Sequence, residues 1–329
     1  MFKSFTIFLI IQPIAKFYSF LIKINLFFLS LDKNKFYSYT NPSFGETFEH
    51  CLFFYNKTLK NKNILPLIFG SFNEEIVSFF FKKYKNLFFK IFFFLPYYRI
   101  VKNLHKSKYY KPNRTSYAGK FMVKDTNYTE KIINNILSTY IFNNNLINFC
   151  KTKYICIFIK HYNLNVSDIS GSNLRQTTEL KKIVDLINFL RLNDIKIVIL
   201  GTKQDKGTVY FRNLNLKGVY FMMDFSNKIS DLLYTAKHSL GYIGNLGGLI
   251  IPFFYQNKKC LCIDASTTYA SFTKYNNLRF VYKKIIFNNK KERILRARDQ
   301  CLKDQSSFII KESSFIEIKK ETQKFFFVK

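Results

Sequence analysis

The pattern of apolar and polar positions is clearest in the second half of the chain. Tyr154 to Ile159 is an unbroken apolar run of six, and Ile195 to Leu200, apolar apart from Lys196, reads as the next buried strand, closed by Gly201. Runs without alternation fit parallel strands buried on both faces. Between them Leu180, Ile183, Val184, Ile187 and Leu190 recur at helical spacing. This predicts an amphipathic helix over Thr178 to Leu192, preceded by a polar loop from Lys160 to Thr177. Gly218 to Met222 predicts a shorter strand, and Ile229, Leu232, Leu233 and Ala236 a short helix. Ser239 to Gly244 reads as the next buried strand, followed by the turn Gly244-Asn245-Leu246-Gly247-Gly248. A second apolar segment ends at Pro252 to Tyr255, and Lys259 to Asp264 is a further strand. Strands separated by single helices predict a doubly wound parallel sheet, whose ligands sit outside the carboxyl ends of the strands. Here those are the loops after Ile159, Leu200, Met223, Gly244 and Asp264.

The first half repeats the grammar more faintly. Lys35 to Tyr39 alternates like a strand and meets a turn, Asn41-Pro42-Ser43-Phe44-Gly45-Glu46-Thr47. A helix is predicted over Phe48 to Leu59, a second strand over Asn63 to Phe69, and a helix from an Asn73 cap to Tyr84. Leu87 to Leu95 is a strand or a helix; periodicity does not separate the two. Lys102 to Asn127 is polar and predicts a long loop. Thr129 to Phe149 predicts one helix, with the domain boundary near Cys150 to Lys153. That divides the chain into residues 35–150 and 151–329. From Phe272 onward the tail is charged and reads as mostly helical, with the capping-box pattern Ser314-Phe315-Ile316-Glu317 before its last helix.

Residues 1–34 stand apart as an apolar N-terminal helix. The uncharged stretch Ser4 to Ala15 is 12 residues long, and Lys16 and Lys23 interrupt the apolar sequence beyond it. A spanning helix needs about 20 apolar residues. Three forms are left open: a helix lying in a membrane interface with its lysines reaching the headgroups, a buried helix, and a membrane span.

Composition adjusts this picture in three ways. The formal net charge of +31 favours polyanionic partners. The lysines are spread along the chain, with no arginine block, zinc-finger spacing or aromatic RNA-binding signature, so an anionic membrane surface or a phosphorylated ligand fits better than nucleic acid. The 40 Phe residues beside no Trp, with abundant Lys, Asn, Ile and Tyr, match an A/T-rich coding bias, so their frequency alone is no sign of function. Cys51, Cys150, Cys156, Cys260, Cys262 and Cys301 sit mostly inside apolar runs and read as small buried residues. No metal-ligand spacing, hydrolase elbow or phosphate-loop lysine motif is present.

Several stretches resemble a family of GT-B glycosyltransferases associated with bacterial surface polysaccharide. Its members have a strand ending in Cys-Val-His-Val-Arg-Asp; here the run is Cys156-Ile157-Phe158-Ile159-Lys160-His161. An Asn/Asp-Tyr-Arg-Asn/Asp-Ser element is matched by Asn173-Leu174-Arg175-Gln176-Thr177, and a strand ending in Met-Gly by Leu200-Gly201. A Ser-Asp pair before a helix is matched by Ser230-Asp231, and a Gly-Ser-Gly-type turn by Gly244 to Gly248. An early Ile-Gly-His-type loop is matched by Phe44-Gly45-Glu46, with His50 as the displaced histidine. The resemblance covers about Phe36 to Ala265. In this chain Lys160 replaces the arginine, His161 the aspartate, and Leu246 or Gly247 the serine.

The resemblance implies two Rossmann-like domains facing a cleft, and transfer of a sugar from a nucleotide-activated donor to a cell-surface glycan or lipid-linked acceptor. Neither a cofactor nor a metal is implied, the nucleotide-sugar being substrate. The donor-side residues are then Lys160, Arg175, Gly201, Ser230, Asp231, Gly244, Asn245, Gly247 and Gly248. Lys160 and Arg175 would meet the diphosphate. Glu46, His50 and His161 are the candidates for the base that takes the acceptor proton. The implied location is cytoplasmic, peripheral on the inner face of the cytoplasmic membrane. The alternative is a non-catalytic basic protein that binds membrane or nucleic acid.

Overall fold

The structure is a computed structural model that describes residues 12–21, 34–39, 44–60, 64–69, 73–81, 125–160, 178–266, 275–288, 291–296 and 308–328. The chain divides into two compact units, Met1–Asp125 and Thr126–Lys329.

In the first unit, α1 spans residues 12–21 and carries buried Ala15 and Ser19 beside exposed Phe17 and Phe20. The rest of the N-terminal helix predicted over residues 1–34 lies outside the described residues, apart from Asn34, which begins a strand. Among the described residues no helix is long and apolar enough to cross a membrane. Strand β1 (Asn34–Tyr39) lies parallel to β2 (Ile64–Phe69), with Asn34 opposite Ile64 and Tyr39 opposite Phe69. Helix α2 (Phe44–Lys60) joins them. It starts at Phe44, before the predicted Phe48, so Gly45, Glu46 and His50 are helical rather than loop residues. Helix α3 (Glu74–Phe80) packs against α2 through aromatic rings. Phe48 meets Phe80 edge-on at 5.2 Å, and Tyr55 lies 5.9 Å from both Phe80 and Phe81. Leu87 to Leu95, and most of the loop predicted over Lys102 to Asn127, lie outside the described residues.

The second unit is built on a six-stranded sheet. Its strands are β3 (Tyr154–Phe158), β4 (Lys196–Ile199), β5 (Val219–Phe221), β6 (Gly241–Gly244), β7 (Lys259–Ala265) and β8 (Leu278–Tyr282). Their order is β5-β4-β3-β6-β7-β8, and all pair in parallel. The first three strands thus run outward to one edge, and the next three start again beside the first and run to the other. This is the doubly wound order predicted from the apolar runs. β3 is buried at every position because helices cover both faces. One face carries Ile155, Ile157, Ile197, Ile199, Ile243, Leu261 and Ile263, packed on Ile183, Leu186, Ile187 and Leu190 of α6 (Leu180–Arg191).

The helix predicted over Thr129 to Phe149 is two, α4 (Thr126–Leu137) and α5 (Asn144–Cys150). The hydroxyls of Ser138 and Thr139 donate back to the carbonyls of Asn135 and Ile136, and the Asn143 side chain accepts from the Asn145 N–H to start α5. Such local bonds compete with helix continuation. Both helices belong to the second unit, so the division falls at Asp125/Thr126 instead of near Cys150. The cause is packing: Thr129 donates to the Tyr255 carbonyl, Phe142 stacks on Tyr234 at 4.1 Å, and Phe149 meets Tyr154 at 5.0 Å and Tyr220 at 4.8 Å.

The remaining helices are α7 (Lys206–Asn213), α8 (Met222–Phe225), α9 (Ile229–His238), α10 (Ile251–Phe254) and α11 (Phe315–Thr322). The tail predicted as mostly helical is instead β8 followed by a three-stranded antiparallel sheet. That sheet comprises β9 (Lys284–Phe287), β10 (Glu292–Ile294) and β11 (Phe308–Lys311), in the order β10-β9-β11. Ile285, Leu295 and Phe308 form its small core. Among the described residues of the tail, α11 and the helical run Gln323–Phe327 that continues it are helical as predicted, and Ser314 and Glu317 form the expected capping box. Cys51, Cys150, Cys156, Cys260 and Cys262 are free and buried, and burial pushes every one of these thiols up; Cys301 lies outside the described residues.

Candidate functional site

In a doubly wound sheet the two central strands send their following segments to opposite faces, which opens a crevice at their carboxyl ends. In the second unit those strands are β3 and β6. Phe158 pairs with Gly244 at this point. The approach is close: a Cβ on Gly244 would run into the Phe158 carbonyl and the Tyr242 hydroxyl. Gly244 therefore lets two strands approach, and it is not placed to face a ligand.

Asn245, the next residue, is fully buried and engaged on all sides. Its N–H donates to the Phe158 carbonyl at 3.1 Å, and its carbonyl accepts from the Tyr242 hydroxyl at 2.8 Å. Its Oδ1 accepts from the Lys160 N–H at 2.8 Å, and its Nδ2 donates to Thr178 Oγ1 at 2.8 Å. The side chain expected to bind the donor is a tie between the ends of β3 and β6. It joins them to a buried network at the end of β7. Thr178 donates to Asp264 Oδ2 at 2.9 Å, Lys182 Nζ lies 2.7 Å from the same oxygen, and the Ser313 N–H and hydroxyl donate to Asp264 Oδ1 at 2.7 and 2.8 Å. Glu312 pairs with Lys182 at 2.7 Å and with Lys283 at 3.7 Å. Burial pushes the Lys283 ammonium down, and Glu312 and Asp264 partly oppose the shift.

Lys160 and Gly247 lie beside this tie. Lys160 leaves β3 half-buried at the switch point; burial lowers its pKa and nearby Asp205 raises it in part. Its Cε is 4.0 Å from where a Gly247 Cβ would stand, with no closer atom among the described residues. Gly247 is extended, at φ −166°, and Gly248 starts a short 3-10 turn leading into α10. That helical run is too short to present the strong N-terminal dipole expected after a glycine turn. Lys160 and Gly247 are thus the predicted donor residues that the structure brings together at the switch point.

Gly201 has a different duty. It follows β4 at φ +120°, where a Cβ would meet Thr208 Oγ1 at 2.5 Å. The Thr202 hydroxyl donates to Asp205 Oδ2 at 2.9 Å just beyond it. Ser230 and Asp231 are buried in the first turn of α9, after the end of β5. His50 is buried within α2, and Glu46 is on the first turn of the same helix. His161 and Arg175 lie outside the described residues. Thr178, Lys182, Asp264, Lys283, Glu312 and Ser313 were missed in the sequence. The usable signal was Asp264 itself, a carboxylate closing an otherwise apolar strand.

No family model matches the chain, and no curated protein matches it. Among solved structures the chain is similar to Escherichia coli heptosyltransferase WaaC with ADP, at 6% identity over 88% of this chain and 97% of that one, with a TM-score of 0.49. It is similar to a glycosyl transferase family 9 protein from Veillonella parvula, at 9% identity over 76% and 86% of the two chains, with a TM-score of 0.45. It is also similar to Staphylococcus aureus MnaA with UDP, at 12% identity over 75% and 83%, with a TM-score of 0.44.

Proposed function

We propose that the chain is a glycosyltransferase whose second unit binds a nucleotide-activated sugar at the carboxyl ends of β3 and β6. The observation that carries this is the placing of Lys160 against the Gly247 backbone at the switch point of a doubly wound sheet. A lysine side chain beside a glycine suits a diphosphate, which needs positive charge and close backbone approach. Partial burial strengthens such a contact, because less water competes for the charge. Transfer then consists of attack by an acceptor hydroxyl on the anomeric carbon, breakage of the bond to the diphosphate, and loss of the hydroxyl proton to a base. Lys160 and Arg175 stabilise the departing diphosphate. Glu46 and His161 are the candidates for the base; His50 is buried in α2. The acceptor is a surface glycan or a lipid-linked sugar, and the excess of lysine suits an anionic membrane face.

Thermal unfolding of the full chain with UDP-, GDP-, ADP- and CMP-sugars tests this. A donor held only by the folded state at 100 times its Kd adds about 2.7 kcal/mol of stability. Stabilisation by one nucleotide class is expected. A cooperative unfolding transition that no nucleotide shifts would overturn the proposal. The effect should also depend on pH in a known direction. Lys160 binds phosphate as the ammonium, and burial lowers its pKa. Binding should therefore weaken, as pH rises, earlier than it would for an ordinary lysine.

A further inference from the structure

The bonds linking the ends of β3, β6 and β7 have a direction. At one end is the Lys160 N–H, which can only donate; at the other is the Asp264 carboxylate, which only accepts. Between them stand the Asn245 amide and the Thr178 hydroxyl, each able to face either way. Lys160 N–H takes Asn245 Oδ1, which leaves Asn245 Nδ2 to donate to Thr178, which leaves the Thr178 proton for Asp264. Only this arrangement of the two ambiguous groups gives the Lys160 N–H, the Asn245 amide and the Thr178 hydroxyl an acceptor each along this path. Asn245, Thr178 and Asp264 are all at 0% exposure, so bulk water cannot replace a lost member.

Asp264 is held unusually firmly for this task. It sits where the pairing of β7 with β8 slips between Cys262 and Ala265, at φ +50°. A bulge there re-aims the side chain, and aspartate tolerates the left-handed backbone better than most residues. Lys182 from α6 and Ser313 from the tail then clamp the carboxylate.

We infer that Asp264 is a positioning residue: through Thr178 and Asn245 it sets the main chain of Lys160 and so the place of the Lys160 ammonium at the donor site. The ligand in this statement rests on the proposed function; the hold on Lys160 rests on the hydrogen bonds alone. The test separates the two. Amide hydrogen exchange at Lys160 is measured in the full chain and in Thr178→Val, Thr178→Ser and Asp264→Asn, together with calorimetric affinity for UDP and ADP. Thr178→Val and Asp264→Asn should speed Lys160 exchange about tenfold, as expected for losing a buried hydrogen-bond partner. The amides of Ile155 to Phe158 should stay as they were, and Thr178→Ser should restore Lys160. Should Asp264→Asn fail to fold, the Val and Ser pair decides alone. Unchanged Lys160 exchange, or a rise shared along all of β3 and not rescued by serine, overturns the inference. If the wild-type chain binds neither nucleotide, the donor site fails, while the exchange pattern still supports or overturns the hold on Lys160. If it binds one, and Thr178→Val binds it equally well despite faster exchange, the positioning role is overturned.

Discussion

The carboxyl ends of β6 and β7 are neighbours in one sheet and are built on opposite principles. At the end of β6, glycines carry the turn, and backbone meets backbone around the buried Asn245. At the end of β7, Lys182 from α6 and Ser313 from the tail converge on Asp264, with Lys283 and Glu312 completing the set. The first end lies beside the Lys160–Gly247 pair, and the second is a buried charge cluster. The difference teaches that glycines let the strands approach at one end, whereas a salt-bridged cluster one strand away ties the strand ends through Thr178 and Asn245. A buried charge cluster of this kind is weak as a source of net stability and strict about geometry, since each charge depends on its partners.

Breaking the β7 end should cost most. Asp264→Ala removes the fully buried carboxylate that Lys182, Thr178 and Ser313 share and is expected to lower stability by about 3–5 kcal/mol, read by urea unfolding. Gly244→Ala attacks the β6 end, where both obstructed neighbours are part of paired strands. It should cost about 1–3 kcal/mol, near the top of that range. Ser314→Ala removes the cap of α11, just past Ser313, and should cost about 1 kcal/mol while leaving the Asp264 cluster intact. The same cap has a pH signature. The Ser314 N–H holds the Glu317 carboxyl below its ordinary range. Its contribution is therefore complete above the unfolded value and is lost as pH falls through the folded one, a slope that Glu317→Gln should flatten. The smallest stability effect should be at Gly247. Among the described residues a Cβ there meets only Lys160 Cε at 4.0 Å, and the extended backbone suits any residue, so Gly247→Ala should stay within about 0.5 kcal/mol of wild type. A fall in nucleotide affinity with that stability unchanged would mark Gly247 as ligand-facing.

The strands at Tyr154 and Ile195 were legible because a strand buried on both faces leaves few polar positions to confuse the period; Lys196 is the one polar residue in the two stretches. The capping box was legible because it is closed within four residues. Failures came where distance or competition decides. The break between α4 and α5 turns on hydroxyls bonding back to their own helix. The strands β8 to β11 are short, charged and half-exposed, so their alternation is weak. Of the site, Lys160 and the glycine turn could be placed from local pattern. Asp264 could not be assigned its role, since Thr178, Lys182 and Ser313 reach it from distant parts of the chain.

The central claim is that Lys160 and the Gly247 turn hold a nucleotide diphosphate. Calorimetric titration of UDP and ADP into the wild-type chain and Lys160→Ala, both verified as folded, tests it most directly. The expected result is binding of one nucleotide to wild type and a loss of at least about tenfold in Lys160→Ala, the scale of one charge-assisted contact. Equal affinity in both proteins, or no binding to either, would contradict it.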